Sequence, residues 1–228
     1  MDISGLLLVD KPLDMSSHDV VDILRRKLDI KKIGHAGTLD PQATGLLLML
    51  ISRQATKRAQ LFSGMDKSYQ ARLTLGIKTD TADHTGNVVE QFKVPEFSLS
   101  DIEKAFSCFQ GKIMQTPPMV SAKKINGQKL YSLARKGITV ARNPVEITIG
   151  EIKILAINLP HIDFQVKCSK GTYIRTLCED IGQKLGCNAH MNGLRRTSIG
   201  QYNVDNAITV DKIKQADIND IAQEVIKI

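Results

Sequence analysis

Residues 46–51 are six apolar side chains in a row, Leu-Leu-Leu-Met-Leu-Ile, and they follow directly on Gly34-His-Ala-Gly-Thr-Leu-Asp-Pro-Gln-Ala-Thr-Gly45. Such a run reads as a buried strand, which commits the chain to a sheet with this strand inside it. The twelve residues before it are small or turn-forming, so they read as a loop at the strand's entrance. Asp40 is the only ionised side chain in that loop. A lone carboxylate at the mouth of a buried element is well placed for chemistry. An aspartate before proline is also ordinary turn punctuation, and this window alone leaves both readings open.

The rest of the chain supplies partners for that strand. Residues 6–9 predict a short buried strand ended by Lys11-Pro12, and Ser16 or Ser17 caps a helix with Val20, Val21 and Leu24 on one side. From 68 to 75 the residues alternate, Tyr69, Ala71, Leu73 and Leu75 sharing one face. Residues 83–87 supply a turn back into a strand at 88–94. Ser100-Asp101-Ile102-Glu103 reads as a capping box, with Ile102, Ala105, Phe106 and Phe109 on the stripe of the helix that follows. Asn126-Gly127 predicts a hairpin turn, and 128–136 a brief helix stopped by Gly137. Three strands are expected at 145–149, 153–158 and 162–168. A helix follows with Ile174, Leu177, Cys178, Ile181 and Leu185 on one stripe and Gly186 as its stop. A strand at 194–201 and one or two helices over 209–228 complete the chain. Strands joined by hairpins, with no regular alternation with helices, predict an α+β fold with a mixed or antiparallel central sheet flanked by helices.

Charge narrows the partner. The chain of 228 residues carries +7 overall, yet residues 104–145 contain no acid and eight basic residues, so the remainder sums to about −1. A surface of one sign attracts a polyanion, which favours a nucleic-acid partner over a merely solvated face. With no tryptophan and 4% aromatic residues, base stacking has to rest on one or two well-placed rings. The four cysteines form no Cys-x-x-Cys pair and have no histidine at zinc-ligand spacing, so reduced thiols, a cytoplasmic location and no metal are expected. The run at 6–9 is too short for a signal peptide or membrane span, so no membrane role is expected.

Several chemistries are excluded by spacing. The glycines around Asp40 lack the Gly-Lys-Ser/Thr of a phosphate-binding loop and the Gly-x-Gly-x-x-Gly of a dinucleotide site. No second carboxylate lies close by to hold magnesium, and no Gly-x-Ser-x-Gly elbow is present. A carboxylate acting without metal or cofactor, as nucleophile or base, remains. Gly171-Thr-Tyr-Ile-Arg175 opens the helix after 172. An arginine there opposes the helix dipole by a few tenths of a kcal/mol, which suggests a nearby carboxylate that offsets the cost. A solvated arginine and a half-buried tyrosine are the plainer alternative.

These motifs, in this order, resemble the bacterial tRNA pseudouridine-55 synthases of the TruB type. The match runs from Gly5 to about Gly200 through Asp10-Lys11-Pro12 with Ser16-Ser17, the Asp40 loop, Asp66-Lys67-Ser68-Tyr69 and Thr79-Asp80-Thr81-Ala82-Asp83. It continues through Gln115-Thr116-Pro117-Pro118, the run from Cys168 to Thr176, and Leu194-Arg195-Arg196-Thr197. The resemblance implies a pseudouridine-synthase α+β fold with Asp40 as catalytic aspartate. Tyr69 would stack on the target uracil, Tyr173 would be a second active-site tyrosine, and Arg175 would pair with the aspartate. It implies further that His35 fills the gap left in the RNA stack, that Leu194 lines the base pocket, and that Lys11 borders the site. The basic segment at about 112–142, with Lys123, Lys124, Lys129, Arg135 and Lys136, resembles an RNA-gripping thumb insertion. A catalytic domain over 1–205 is expected, with 206–228 a short helical remnant and a full PUA-type domain absent. Two departures stand out: Asp14 replaces the family's usual glycine, and the chain is shorter than many relatives.

The implied reaction converts the T-loop uridine of tRNA to pseudouridine with no cofactor. The N1–C1′ bond breaks, the uracil turns and C5 bonds to C1′, so no atoms or electrons enter or leave on balance. The nucleotide must be everted at a cost of a few kcal/mol, and stacking on Tyr69 returns about 1–3 kcal/mol. Attack by Asp40 at ribose C1′ and at uracil C6 are both open, with Arg175 favouring its ionised form and Tyr173 assisting loss of the C5 proton. The expected partner is the T-arm of tRNA, acted on by a monomer without a guide RNA or obligatory protein. The alternatives are the related subunit of a guide-RNA particle and a tRNA-folding chaperone.

Overall fold

A computed structural model describes residues 3–121, 124, 125, 127–134 and 137–228. In chain order the elements are β1 (Gly5–Lys11), α1 (Ser17–Leu28), β2 (Ile33–Ala36), β3 (Ala43–Ile51), α2 (Arg53–Thr56), α3 (Ala59–Ser63), β4 (Lys67–Leu75), β5 (Ile77–Thr79) and β6 (Val88–Gln91). There follow α4 (Leu99–Ser107), β7 (Gly111–Gln115), β8 (Lys124–Ile125), β9 (Gln128–Lys129), α5 (Leu130–Ala134), β10 (Val145–Asn158) and β11 (His161–Cys168). The chain ends with α6 (Ile174–Lys184), β12 (Ala189–Ile199), β13 (Tyr202–Asn203), β14 (Ile208–Thr209), α7 (Val210–Gln215) and α8 (Ile218–Gln223). Two compact units divide it, one of residues 1–70 and 194–228, the other of residues 71–193.

In the first unit β3 is the centre. β1 runs antiparallel to it from Gly5↔Ile51 to Lys11↔Gly45, and β2 antiparallel from Ile33↔Ile51 to Ala36↔Leu48. Beyond β2, β12 pairs with β3 in parallel through Leu194↔Ala43, Arg195↔Thr44 and Arg196↔Gly45. β14 is parallel to β1, so the sheet is mixed. The six-residue apolar run is explained by burial on both faces. Leu47, Met49 and Ile51 pack with Val20, Val21 and Leu24 of α1 and with Val210, Ile213 and Ile221. Leu46, Leu48 and Leu50 pack on the other side with Ala55, Phe62, Ile199 and Val204. Each such side chain contributes about 1.5–3 kcal/mol on burial. The segment 206–228 therefore supplies β14, α7 and α8 to this unit's own sheet and core.

In the second unit β10 lies between β11 and β7, antiparallel to both. The two strands expected at 145–149 and 153–158 are one, because the ladder with β11 absorbs irregularities between Ile149 and Glu151 and between Ile154 and Ala156. α4 starts earlier than its expected box. Ser98, not Ser100, is the cap, and Asp101 at the third helical position takes both the Ser98 N–H (3.1 Å) and its hydroxyl (2.6 Å). Phe106 of α4 meets Phe164 of β11 edge-on at 5.4 Å. The strand expected at 88–94 is β6, but it pairs antiparallel with the separate short strand β5 rather than with the strand expected at 68–75, and β8 and β9 pair around the expected turn. β12 begins five residues before the predicted start at 194.

Candidate active site

Asp40 lies between β2 and β3, on a loop held from several directions. Gly37 enters it at φ +87° and Gly45 leaves it at φ +102°, a left-handed region that favours glycine. A Cβ on Gly45 would clash with the Arg196 carbonyl oxygen, so glycine is also what lets β12 approach β3. The Ala43 N–H donates to the Asp40 carbonyl (3.0 Å), closing a tight turn behind the carboxylate. Ser17, buried at the start of α1, donates its hydroxyl to the Leu39 carbonyl (3.0 Å) and accepts the Leu39 N–H (2.9 Å). Ser16 is the cap of α1, which frees Ser17 for this task. Asp14 takes the left-handed conformation at φ +57°, and its N–H donates to the Pro41 carbonyl (3.0 Å). Aspartate tolerates that conformation better than most residues, so the loss of glycine there costs little.

Lys11 ends β1 with no exposed surface. Its ammonium donates to the carbonyls of Met15 (2.6 Å), Pro12 (2.8 Å) and Pro41 (3.3 Å). Burial pulls its pKa down to about 8, against the upward pull of the Asp40 charge. Lys11 thus anchors the Asp40 loop through the Pro41 carbonyl.

His35 is on β2, half-buried, and its Nδ1 makes no hydrogen bond among the described residues. Burial first, and then the Arg196 and His18 charges, hold its pKa below the usual histidine range. Tyr69 is buried on β4, and its phenol interacts electrostatically with the Arg196 guanidinium. Leu194 is half-buried where β12 meets Ala43 at the loop's exit. Lys11, His35, Asp40, Tyr69 and Leu194 all belong to the first unit.

Tyr173 and Arg175 belong to the second. Tyr173 is the N-cap residue of α6, and its backbone is fixed by Gln115, which accepts its N–H (2.8 Å) and donates to its carbonyl (3.1 Å). Arg175 is 5% exposed, so the solvated-arginine reading fails. Within this unit its guanidinium donates to Asp83 (3.3 Å) and to the carbonyls of Val120 (2.6 Å) and Thr81 (3.4 Å). The carboxylate expected beside the arginine is met within this unit by Asp83. Burial alone would raise the Asp83 pKa. Hydrogen bonds from Thr85 and Thr81, with the Arg175 cation, outweigh it and hold the carboxyl below its ordinary range.

Lys123, Arg135 and Lys136 lie outside the described residues, and so do the side chains of Lys124 and Lys129, whose backbones run in β8 and β9. Among the described residues no cluster of histidine, cysteine or acid could hold a metal ion, and no helix is long and apolar enough to cross a membrane. Four participants were not singled out by sequence: Ser17, Asp83, Gln115 and Arg196. Each falls in a motif that carried the family resemblance, but its contacts are with residues far along the chain.

Family models match along nearly the whole chain. Residues 25–174 match the N-terminal domain of TruB family pseudouridylate synthases, and residues 175–226 match the C-terminal domain of tRNA pseudouridylate synthase B. The chain belongs to the TruB family. It is accordingly a pseudouridine synthase, an isomerase. A relative from Opitutus terrae named tRNA pseudouridine synthase B is 44% identical over all of this chain and 94% of its own length. One of the same name from Protochlamydia amoebophila is 48% identical over 90% of this chain and 78% of its own. Among solved structures, a chain of a Cbf5-Nop10-Gar1 complex superposes with a TM-score of 0.76 at 27% identity. That match covers 99% of this synthase and 60% of the other chain.

Proposed function

We propose that this synthase isomerises the uridine at position 55, in the T-loop of tRNA, by everting it and attacking it with Asp40, without a cofactor. The tRNA substrate is supported by the relatives named tRNA pseudouridine synthase B, whose identity of 44–48% exceeds the 27% of the matched chain from the Cbf5-Nop10-Gar1 complex. The observation that carries the assignment of Asp40 is its setting. A surface turn aspartate needs no anchoring, yet the residues on either side of this one are held by Ser17, Asp14 and the buried ammonium of Lys11. Rigid placement of a nucleophile is what an attack at a single carbon demands.

In this reading Tyr69 offers its ring to the everted uracil, Leu194 lines the base and His35 takes the space the nucleotide leaves. Asp40 acts as the carboxylate, at ribose C1′ or uracil C6. The N1–C1′ bond breaks, the ring turns, C5 bonds to C1′ and the C5 proton departs while N1 gains one. Tyr173 assists loss of that proton and Arg175 favours the ionised aspartate. Lys123, Lys124, Lys129, Arg135 and Lys136 grip the T-arm backbone. The enzyme works in the cytoplasm as a monomer, without guide RNA or protein partner.

The test is tritium release from tRNA labelled at uridine C5, comparing the natural chain with Asp40→Asn. Release is expected to vanish while RNA binding persists. Full activity in the variant would remove Asp40 from the chemistry.

A further inference from the structure

Arg196 is the feature of the first unit that the proposed reaction leaves unexplained. It is 1% exposed and among the largest fully buried side chains. Its Nε donates to the Leu46 carbonyl (2.7 Å), one Nη to the Gly37 carbonyl (3.0 Å) and the other to that of Thr38 (3.5 Å). The fourth partner is the Tyr69 phenol. Three carbonyls and a phenol are all neutral, so a full charge is buried against uncharged acceptors. An apolar side chain would fill the same space without that desolvation cost. The next residue along the strand, Arg195, points the other way and has a carboxylate, Asp10, at 3.0 and 2.7 Å.

The acceptors explain the choice. Gly37 and Thr38 open the loop that carries Asp40, and Leu46 follows its close, so one planar group brackets the loop at both ends. The same group reaches the ring that is to carry the uracil. Arginine can do this because its donors are fixed in a rigid fork, whereas lysine offers a single point. Resting on the roles proposed above for Asp40 and Tyr69, we infer that Arg196 is a positioning residue that locks the Asp40 loop and the Tyr69 ring into one geometry. A displacement of about 1 Å between nucleophile and base is worth about 10²-fold in rate.

The test is single-turnover tritium release per active site for the natural chain, Asp40→Asn, Arg196→Lys, Tyr69→Phe and the double variant Arg196→Lys/Tyr69→Phe, with RNA affinity measured alongside. Arg196→Lys keeps the charge and loses the fork. It is expected to slow the step about 10²-fold while the dissociation constant for RNA changes less than about threefold, a split that a purely structural role would not produce. Because the fork and the phenol belong to one link, the double variant should be no slower than the slower single variant. A silent natural chain or an active Asp40→Asn would overturn the functional reading. If that reading stands, a natural rate in Arg196→Lys, or losses that multiply in the double variant, overturns the role of Arg196. Should Arg196→Lys fail to fold, Tyr69→Phe decides by amide hydrogen exchange over residues 37–42. Faster exchange there supports the link, and exchange equal to the natural chain overturns it.

Discussion

Replacing Ser17 by alanine isolates the anchoring of the Asp40 loop from every charged group. The Ser17 hydroxyl is the partner of both polar groups of Leu39, donating at 3.0 Å and accepting at 2.9 Å. Ser17 and Leu39 are 2% and 4% exposed, so water has little access once the hydroxyl is gone. A buried polar group left unmet costs about 1–3 kcal/mol, and two such groups with partial relaxation come to about 2–4 kcal/mol. Ser16→Ala is the matched control. Ser16 caps the same helix through Asp19, and losing a cap costs about 1 kcal/mol without touching the loop. Urea unfolding should rank the two variants in that order. Single-turnover tritium release should fall roughly 10- to 100-fold in Ser17→Ala, because the residue beside the nucleophile is no longer fixed, and stay at the natural rate in Ser16→Ala. If the two variants match in both stability and rate, Ser17 does not anchor the Asp40 loop.

Four further outcomes are expected. The Lys11 ammonium has three protons for three carbonyls, so deprotonation near pH 8 removes one bond. The Pro41 contact, the longest at 3.3 Å, is the weakest. A pH–rate profile should therefore decline above about pH 8, and a profile flat to pH 9.5 would count against it. The folded state also binds fewer protons at Lys11 than the unfolded state between about pH 8 and 10.5, so this group's contribution to stability improves as pH rises through that window. Asp180 is pushed up to about 6 by burial and by the Glu179 charge, so its contribution to stability declines as pH rises from about 3.8 to 6. Asp180→Asn should raise the unfolding free energy at pH 8 by about 1–2 kcal/mol, after discounting for partial exposure, and leave it unchanged near pH 3.5. Replacing Lys123, Lys124 and Lys129 together should flatten the dependence of log K for RNA on log salt by up to about 2, and an unchanged slope would remove this segment from the interface.

What the sequence determined by itself was local or periodic. The glycines at 37 and 45 marked the loop, the apolar run marked β3, and the stripe from Ile174 to Ile181 marked α6, because each signal is complete within a few residues. The motifs also sufficed for the family. Local rules failed where a choice depended on a neighbour. β10 is one strand because its ladder with β11 absorbs irregularities, and α4 is capped by Ser98 rather than Ser100 because Asp101 takes the Ser98 hydroxyl. Only the tertiary structure decided the support of the site. Arg196 meets Gly37 and Thr38 across nearly 160 positions, Arg175 meets Asp83 across 92, and Lys11 meets Pro41 across 30. Carbonyl oxygens are present at every residue and carry no sequence signature. Which of them a buried cation will find is fixed only when the strands pair.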